Sequence, residues 1–251
     1  MRSGVCRWAL TAACAGSRGV SVHALARPMM MSAAAAGQDL IEVEKKFQGI
    51  SDVGVLETAV LRSGGAPLGS VSFTDTYYDT PDCCLTTRDI WLRQRDDNWE
   101  LKVPIDLEAR RSGGERTTFR EVEGEWRVVS ALAALDAKRF SPAQTMQDLL
   151  AQSGCASFAS FETTRAKFAL GRCTIDADVA SFGHSVLEIE VMVREACDVA
   201  AAEADIAAAA LQIGAVELTV TGGKLETYIR RFCPDVEYSL IAAGVLPPRA
   251  D

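Results

Sequence analysis

The sequence predicts an α+β fold in which about eight strands close into a barrel with helices packed outside it. Three observations carry that expectation. Apolar and polar residues alternate with period two through much of the chain from residue 39 onward. Helical patterns are confined to the stretches between and after these strands. Several strands also gather charges of one sign on their polar face, as Glu42 with Glu44, Glu188 with Glu190, and Arg93 with Arg95. A polar strand face is ordinarily the solvent side of a sheet, but such a face mixes Lys, Thr, Ser and Gln. Tight same-sign pairs fit better a closed sheet whose charged faces line a lumen and whose apolar faces meet helices. Closure also removes unpaired sheet edges.

Taken in order, residues 1–38 contain Arg2, Arg7, Arg18 and Arg27 but no Asp, Glu or Lys, and are rich in Ala, Ser and Gly. This is the composition of a mitochondrial presequence, or of an extension upstream of a start at Met29, Met30 or Met31. Either way the segment is expected to lie outside the fold, as a flexible extension. Without those four arginines the chain has 22 basic and 34 acidic residues, a net charge of −12. The expected location is the cytoplasm, or the mitochondrion if residues 1–28 act as a presequence.

The first strand sets Ile41, Val43 and Phe47 against Glu42, Glu44 and Lys46. Ser51 to Arg62 then reads as a helix, opened by Ser/Asp and stopped by Gly64-Gly65. A strand over 68–79 precedes Trp91-Leu92-Arg93-Gln94-Arg95, which puts Trp91, Arg93 and Arg95 on one face and turns Gln94 outward. After the turn signal Asp96-Asp97-Asn98, Glu100 and Lys102 share a face. Residues 105–116, with Arg110-Arg111 and Gly113-Gly114, read as a loop. Further strands fall at 117–123, 158–169 and 172–179, and helical pieces near 130–139 and 143–152 make a short αα insertion. Leu187 to Val193 repeats the design of the first strand. An Ala-rich helix over 198–213 stops at Gly214, and Gly223 to Tyr238 reads as one helix that meets Pro234 late. The main domain is expected over 39–240, with 241–251 a C-terminal tail that is frayed over Pro247 to Asp251.

Composition excludes several classes. With 48% apolar and 24% charged residues among 251, the chain is neither disordered nor fibrous. No run approaches the roughly 20 apolar residues that span a bilayer. A net charge of −8 disfavours a nucleic-acid coat, which needs clustered excess Lys and Arg. Eight cysteines without a CxxC pair, and two histidines, make a structural zinc site a poor reading and a reducing compartment a better one. The partner expected is a small molecule rather than nucleic acid or membrane, and the chain is expected to be a monomer.

The charged faces suggest chemistry. Carboxylates that face each other across a narrow lumen repel unless a divalent cation sits between them, and oxygen-only ligation selects Mg²⁺, Mn²⁺ or Ca²⁺. Arginines and lysines in the same lumen want an anion. Metal carboxylates beside a cationic cradle are the equipment of phosphoryl transfer.

Glu42-Val43-Glu44-Lys45-Lys46 resembles the ExExK signature of the CYTH superfamily, the triphosphate tunnel metalloenzymes. The rest follows in family order. Trp91 to Arg95 is similar to the RxR strand, Glu100-Leu101-Lys102 to the ExK strand, and Thr164-Arg165 to a later single-arginine position. Ile175-Asp176 with Glu188-Ile189-Glu190 twelve residues on resembles the closing D…ExE element, and Gly223-Lys224-Leu225-Glu226 a C-terminal helix that sends a lysine inward. Within the superfamily, Leu40 to Phe47, Asp75 to Pro81, Trp91 to Arg95 and Trp99 to Lys102 resemble the animal thiamine triphosphatase branch. Gln94 departs from the Arg-Arg-Arg that this branch often carries.

The resemblance implies an eight-stranded antiparallel tunnel, with thiamine triphosphate hydrolysed to thiamine diphosphate and phosphate with Mg²⁺. It assigns Glu42, Glu44, Asp176, Glu188 and Glu190 to the metal, with Asp178 as the alternative to Asp176. It assigns Lys46, Arg93, Arg95, Lys102, Arg165 and Lys224 to the triphosphate. Any of the carboxylates could instead only pair with a lumen cation, and Lys167 and Arg230 are alternatives to Arg165 and Lys224. Trp91 would pack on the cationic ring system of thiamine or, alternatively, cap the tunnel mouth as a core residue. Water would be activated by the metal, by Lys102 with its proton loosened by neighbouring cations, or by Glu100. Lys45 and Asp75 read as ordinary surface or ladder residues, and neither histidine has a role. Competing readings are an inorganic tripolyphosphatase or another activity of the same scaffold, and a phosphate-binding module without turnover.

Overall fold

The structure is a computed structural model and describes residues 40–50, 52–105, 118–218 and 222–249. The segment 1–38 and, beyond Ile105, the loop 105–116 lie outside the described residues.

Eight strands form a closed barrel: β1 (Leu40–Gln48), β2 (Ala66–Asp79), β3 (Trp91–Arg95), β4 (Asn98–Pro104), β5 (Thr118–Glu123), β6 (Ala156–Leu170), β7 (Cys173–Ala180) and β8 (His184–Val193). Around the barrel the order is β1-β5-β4-β3-β2-β6-β7-β8, and every pairing is antiparallel. The expected fold class is therefore the observed one. Asp96 makes the tight β3–β4 turn possible by taking φ +50°, a conformation Asp tolerates better than bulkier residues. Its carboxylate accepts the Thr74 N–H at 2.9 Å, which ties the turn to β2.

Alternation sends one set of side chains inward and the other into two shells outside. On one side, Ile41, Val43 and Phe47 of β1 and Leu187, Ile189 and Val191 of β8 are buried. Helices α1 (Val53–Arg62) and α4 (Val199–Ile213) cover them through Leu56, Val60, Ala202 and Ile206. On the other, Leu92, Leu101 and Val122 meet α2 (Glu125–Leu135) and α3 (Met146–Ser153) through Val128, Leu132 and Leu149. Among the described residues no helix is long and apolar enough to cross a membrane.

Three expectations change. The helical stretch 223–238 is two helices, α5 (Lys224–Phe232) and α6 (Pro234–Ala242). Pro234 has no N–H and disfavours helical geometry in the residue before it, so Cys233 turns out at φ −127°, ψ 65° and Pro234 opens a new helix. The end read as frayed is tied down as far as it is described, through the Pro247 carbonyl and Arg249. Gly244, at φ +71°, ends α6, and Val245 and Leu246 fold back to bury themselves against Ile229 and Leu240. The helix read at 130–139 also starts earlier, at Glu125, because its exposed first turn carries no apolar periodicity.

The outward face should set stability. Ile189 is fully buried between β8 and its helical cover, so Ile189→Ala is expected to cost about 2–5 kcal/mol in urea unfolding. Val179→Ala, at a half-exposed position, should cost far less.

Candidate active site

The barrel register sets inward side chains directly opposite one another. Glu44 faces Glu190 across β1–β8, and Asp176 faces Glu188 across β7–β8. Arg93 faces Glu100, Lys102 faces Glu121, Arg95 faces Asp75, and Arg165 faces Asp178. The result is a cavity of about 660 Å³ with a charged lining.

Every cation expected in the lumen lines this cavity: Lys46, Arg93, Arg95, Lys102, Arg165 and Lys224. So do Trp91, Glu100, Glu42, Glu44, Glu188 and Glu190. Asp176 sits behind them, fully buried.

Glu42, Glu44 and Glu190 each bring a carboxylate oxygen within 4.8 Å of the others. Burial, with the negative charges of Glu42, Asp176 and Glu44, pushes Glu190 up to about 8. Burial likewise raises Asp176, and its Oδ1 is buried with no hydrogen-bond partner among the described residues. Crowded hard oxygens, one raised carboxyl and one orphaned oxygen are a donor set that fits a divalent cation of the Mg²⁺ class. Glu188 is different. It accepts from Arg165 and from Lys224, both at 3.0 Å, and these cations with Lys46 hold it well below the ordinary carboxylate range against its burial.

The cations are held by carboxylates of their own. Asp178 accepts Nε and Nη2 of Arg165 at 2.7 and 2.6 Å and also binds Lys224. It is thus the clamp of Arg165, while Asp176 pairs with the same guanidinium through its other oxygen. Lys224 starts α5, which aims it into the barrel, and Gly223 leaves room for Lys46. A Cβ at 223 would lie 3.0 Å from Lys46 Cε. Lys167 also lines the cavity, beside Asp176 at 3.4 Å, whereas Arg230 is tied to Glu226 and Glu237 on the helices. Lys45 is a surface residue paired with Glu217.

Lys102 binds Glu42. Burial works to lower its pKa, but Glu42, Glu44 and Glu121 outweigh burial and hold it above the ordinary lysine value. Its proton is tightened in this tunnel, against the expectation that neighbouring cations loosen it. Glu100 accepts from Arg93 Nε at 2.5 Å.

Two acidic positions inside the barrel were not visible beforehand. Asp75, read as a ladder residue, is fully buried and takes Arg95 bidentately at 2.8 and 3.0 Å, with Arg93 4.0 Å away. Phe73, two residues before it, stacks under Arg95 with 4.1 Å from guanidinium to ring centroid. Glu121 lines the cavity within 3.4 Å of Arg93 and 3.9 Å of Lys102. The signal for both was alternation: Asp75 is in phase with Phe73 and Tyr77, and Glu121 with Phe119 and Glu123. Trp91 sits at the mouth, its Nε1 donating to Asp89 at 2.9 Å and its ring packed against the cluster of Ile229 and Leu246.

The model of the CYTH domain matches residues 40–220. Over 207 residues the chain is 33% identical to thiamine-triphosphatase of Homo sapiens and equally to that of Macaca fascicularis, covering 78% of this chain and 87% of each relative. Among solved structures, a protein described as a candidate adenylate cyclase from Vibrio parahaemolyticus shares the fold. Its TM-score is 0.51 at 18% identity, over 77% of this chain and 99% of that one.

Asp75 gives this site its sharpest stability test. Its burial is outweighed by Arg93 and Arg95, which lower its pKa below the model-peptide range. A depressed carboxylate stabilises the fold above its unfolded pKa and loses that contribution as pH falls through the folded value. Asp75→Asn should therefore cost about 3 kcal/mol at pH 7, where it leaves the half-buried Arg95 guanidinium without its carboxylate. The gap to the parent protein should close below about pH 4 in chemical unfolding curves.

Proposed function

The chain belongs to the CYTH family, and on that footing we propose that it hydrolyses thiamine triphosphate to thiamine diphosphate and phosphate, with Mg²⁺ as cofactor. One observation carries the reading. Three clustered carboxylates and seven inward cations share a cavity whose mouth is aromatic and apolar. A bare polyphosphate has no use for such a mouth; a triphosphate with an organic cation at one end does.

In this reading Glu42, Glu44 and Glu190 hold the metal, joined by Asp176 and Glu188. The metal, when bound, neutralises phosphate oxygens and lowers the cost of charge that develops at the reacting phosphorus. Arg93, Arg95 and Arg165 grip phosphate oxygens in forked geometry, while Lys46, Lys102 and Lys224 act as point charges. Asp75 and Asp178 fix the arginines before substrate arrives, so little orientation is left to be lost on binding. No covalent nucleophile is required. Water attacks the terminal phosphorus in line, its O–P bond forms as the bond to the bridging oxygen breaks, and the diphosphate leaves with the thiamine. Lys102, with its proton held, serves as a cation. The proton of the water goes to a lumen carboxylate, with Glu100 beside Arg93 and Glu121, raised chiefly by burial, both in reach of the phosphate cradle.

Trp91 packs on the thiamine ring system at the mouth. Phosphate release from thiamine triphosphate, ATP and tripolyphosphate, assayed in parallel, should favour thiamine triphosphate and vanish in chelator. Trp91→Ala should cost thiamine triphosphate about 0.5–2 kcal/mol more than tripolyphosphate in kcat/KM. Arg93→Ala should injure both alike, because both present the same oxygens. Equal losses in Trp91→Ala would make the tryptophan structural only, and preference for ATP or tripolyphosphate would overturn the substrate.

A further inference from the structure

The strap after α6 lies beyond the segment that matches the family, residues 40–220, yet it builds part of the cavity wall. Gly244, Val245, Leu246, Pro247 and Pro248 all line the cavity, together with Ile241 of α6. Val245 and Leu246 anchor on Ile229 and Leu240 and lie against Trp91. The far end is latched by charge. Arg249 donates Nε and Nη2 to the two oxygens of Glu237 at 2.8 and 2.6 Å, and Nη2 also reaches the Arg230 carbonyl at 2.6 Å. Arg230 closes the knot, donating to Glu237 at 3.1 Å and to the Pro247 carbonyl at 3.0 Å.

This arrangement contributes nothing that phosphate needs. The strap presents no cation to the lumen, and two prolines leave it without N–H groups at 247 and 248 to offer an anion. It presents an apolar surface held at fixed distance from the mouth tryptophan. Apolar surface that faces a cavity recovers its cost in water only when an organic group covers it. A wall latched at both ends also limits how large that group can be.

We propose that the strap Gly244–Arg249, latched by Arg249, Glu237 and Arg230, is a specificity element that selects the organic substituent of the triphosphate by size, admitting a compact ring system and excluding bulkier nucleosides. This rests on the reading of the tunnel as a triphosphate hydrolase site. The latch residues touch no phosphate; they position the wall.

The test uses the full-length protein with Arg249→Ala, which unlatches the strap, and separately Leu246→Ala, which thins the wall and leaves the latch. kcat/KM is measured for thiamine triphosphate, ATP and tripolyphosphate, with melting temperature as a folding check and Arg249→Lys as the conservative control. The preference for thiamine triphosphate over ATP should fall by about tenfold in either variant, as expected when a pocket wall recedes by a few carbons. Tripolyphosphate hydrolysis should stay at the parent rate, and Arg249→Lys should keep more of the preference than Arg249→Ala. An unchanged preference in both variants, or a parallel fall for all three substrates in a folded protein, would overturn the proposal. Failure of the parent reading looks different: the unmodified protein would then prefer ATP or tripolyphosphate outright. The strap would in that case still be judged by whether its variants change the ratio of organic triphosphates to tripolyphosphate.

Discussion

The barrel lumen is filled with charge, and the rest of the structure is organised around neutralising it. A carboxylate taken from water into a buried site costs several kcal/mol unless a partner compensates it. Here cross-strand register supplies the partner for most groups: Asp75 to Arg95, Asp178 to Arg165, Glu121 to Lys102, Glu100 to Arg93. Register also sets like against like, Asp176 opposite Glu188 and Glu44 opposite Glu190, and at the β1–β8 seam Glu42 adds a third carboxylate close by. Burial first, and then the repulsion left over there, raise the pKa of Glu190. A site that binds a cation strongly is one that is unhappy without it.

The closed sheet makes this possible. An open sheet would let water screen its charged face, and electrostatic interactions would weaken accordingly. Closure instead leaves only the outward face for ordinary core packing, and two separate helical shells take it up. Stability is thereby lodged mainly outside the barrel and chemistry inside it. The Asp75 and Asp178 clamps join the two, because the same ion pairs that complete the buried lumen also hold the arginines in the geometry that phosphate requires.

Much of this was legible from alternation alone. In β1, β3 and β8, where two like charges stood two residues apart, the inward face could be named, and the structure places those residues on the cavity. Asp75 escaped because it is the lone acid among aromatic neighbours in phase, Phe73 and Tyr77, whereas Glu121 did stand two residues from Glu123 and the same rule could have found it. The break before Pro234 and the strap after it escaped for another reason. A helix pair and a fold-back are decided by what they pack on, here Ile229 and Leu240, and no local period records that. Lys102 shows a limit of charge counting: its neighbours in sequence order include arginines, but the groups that surround it in space are chiefly Glu42, Glu44 and Glu121.

The central claim is that the β1–β8 carboxylates form a cation site inside a phosphate-binding tunnel. Titration of Mn²⁺ onto the full-length protein, followed by electron paramagnetic resonance, tests it without reference to turnover. Saturable binding that Mg²⁺ displaces, and that weakens by about tenfold or more in a folded Glu190→Gln protein, is the result expected of a carboxylate ligand. Mn²⁺ affinity equal in the two proteins would contradict the account.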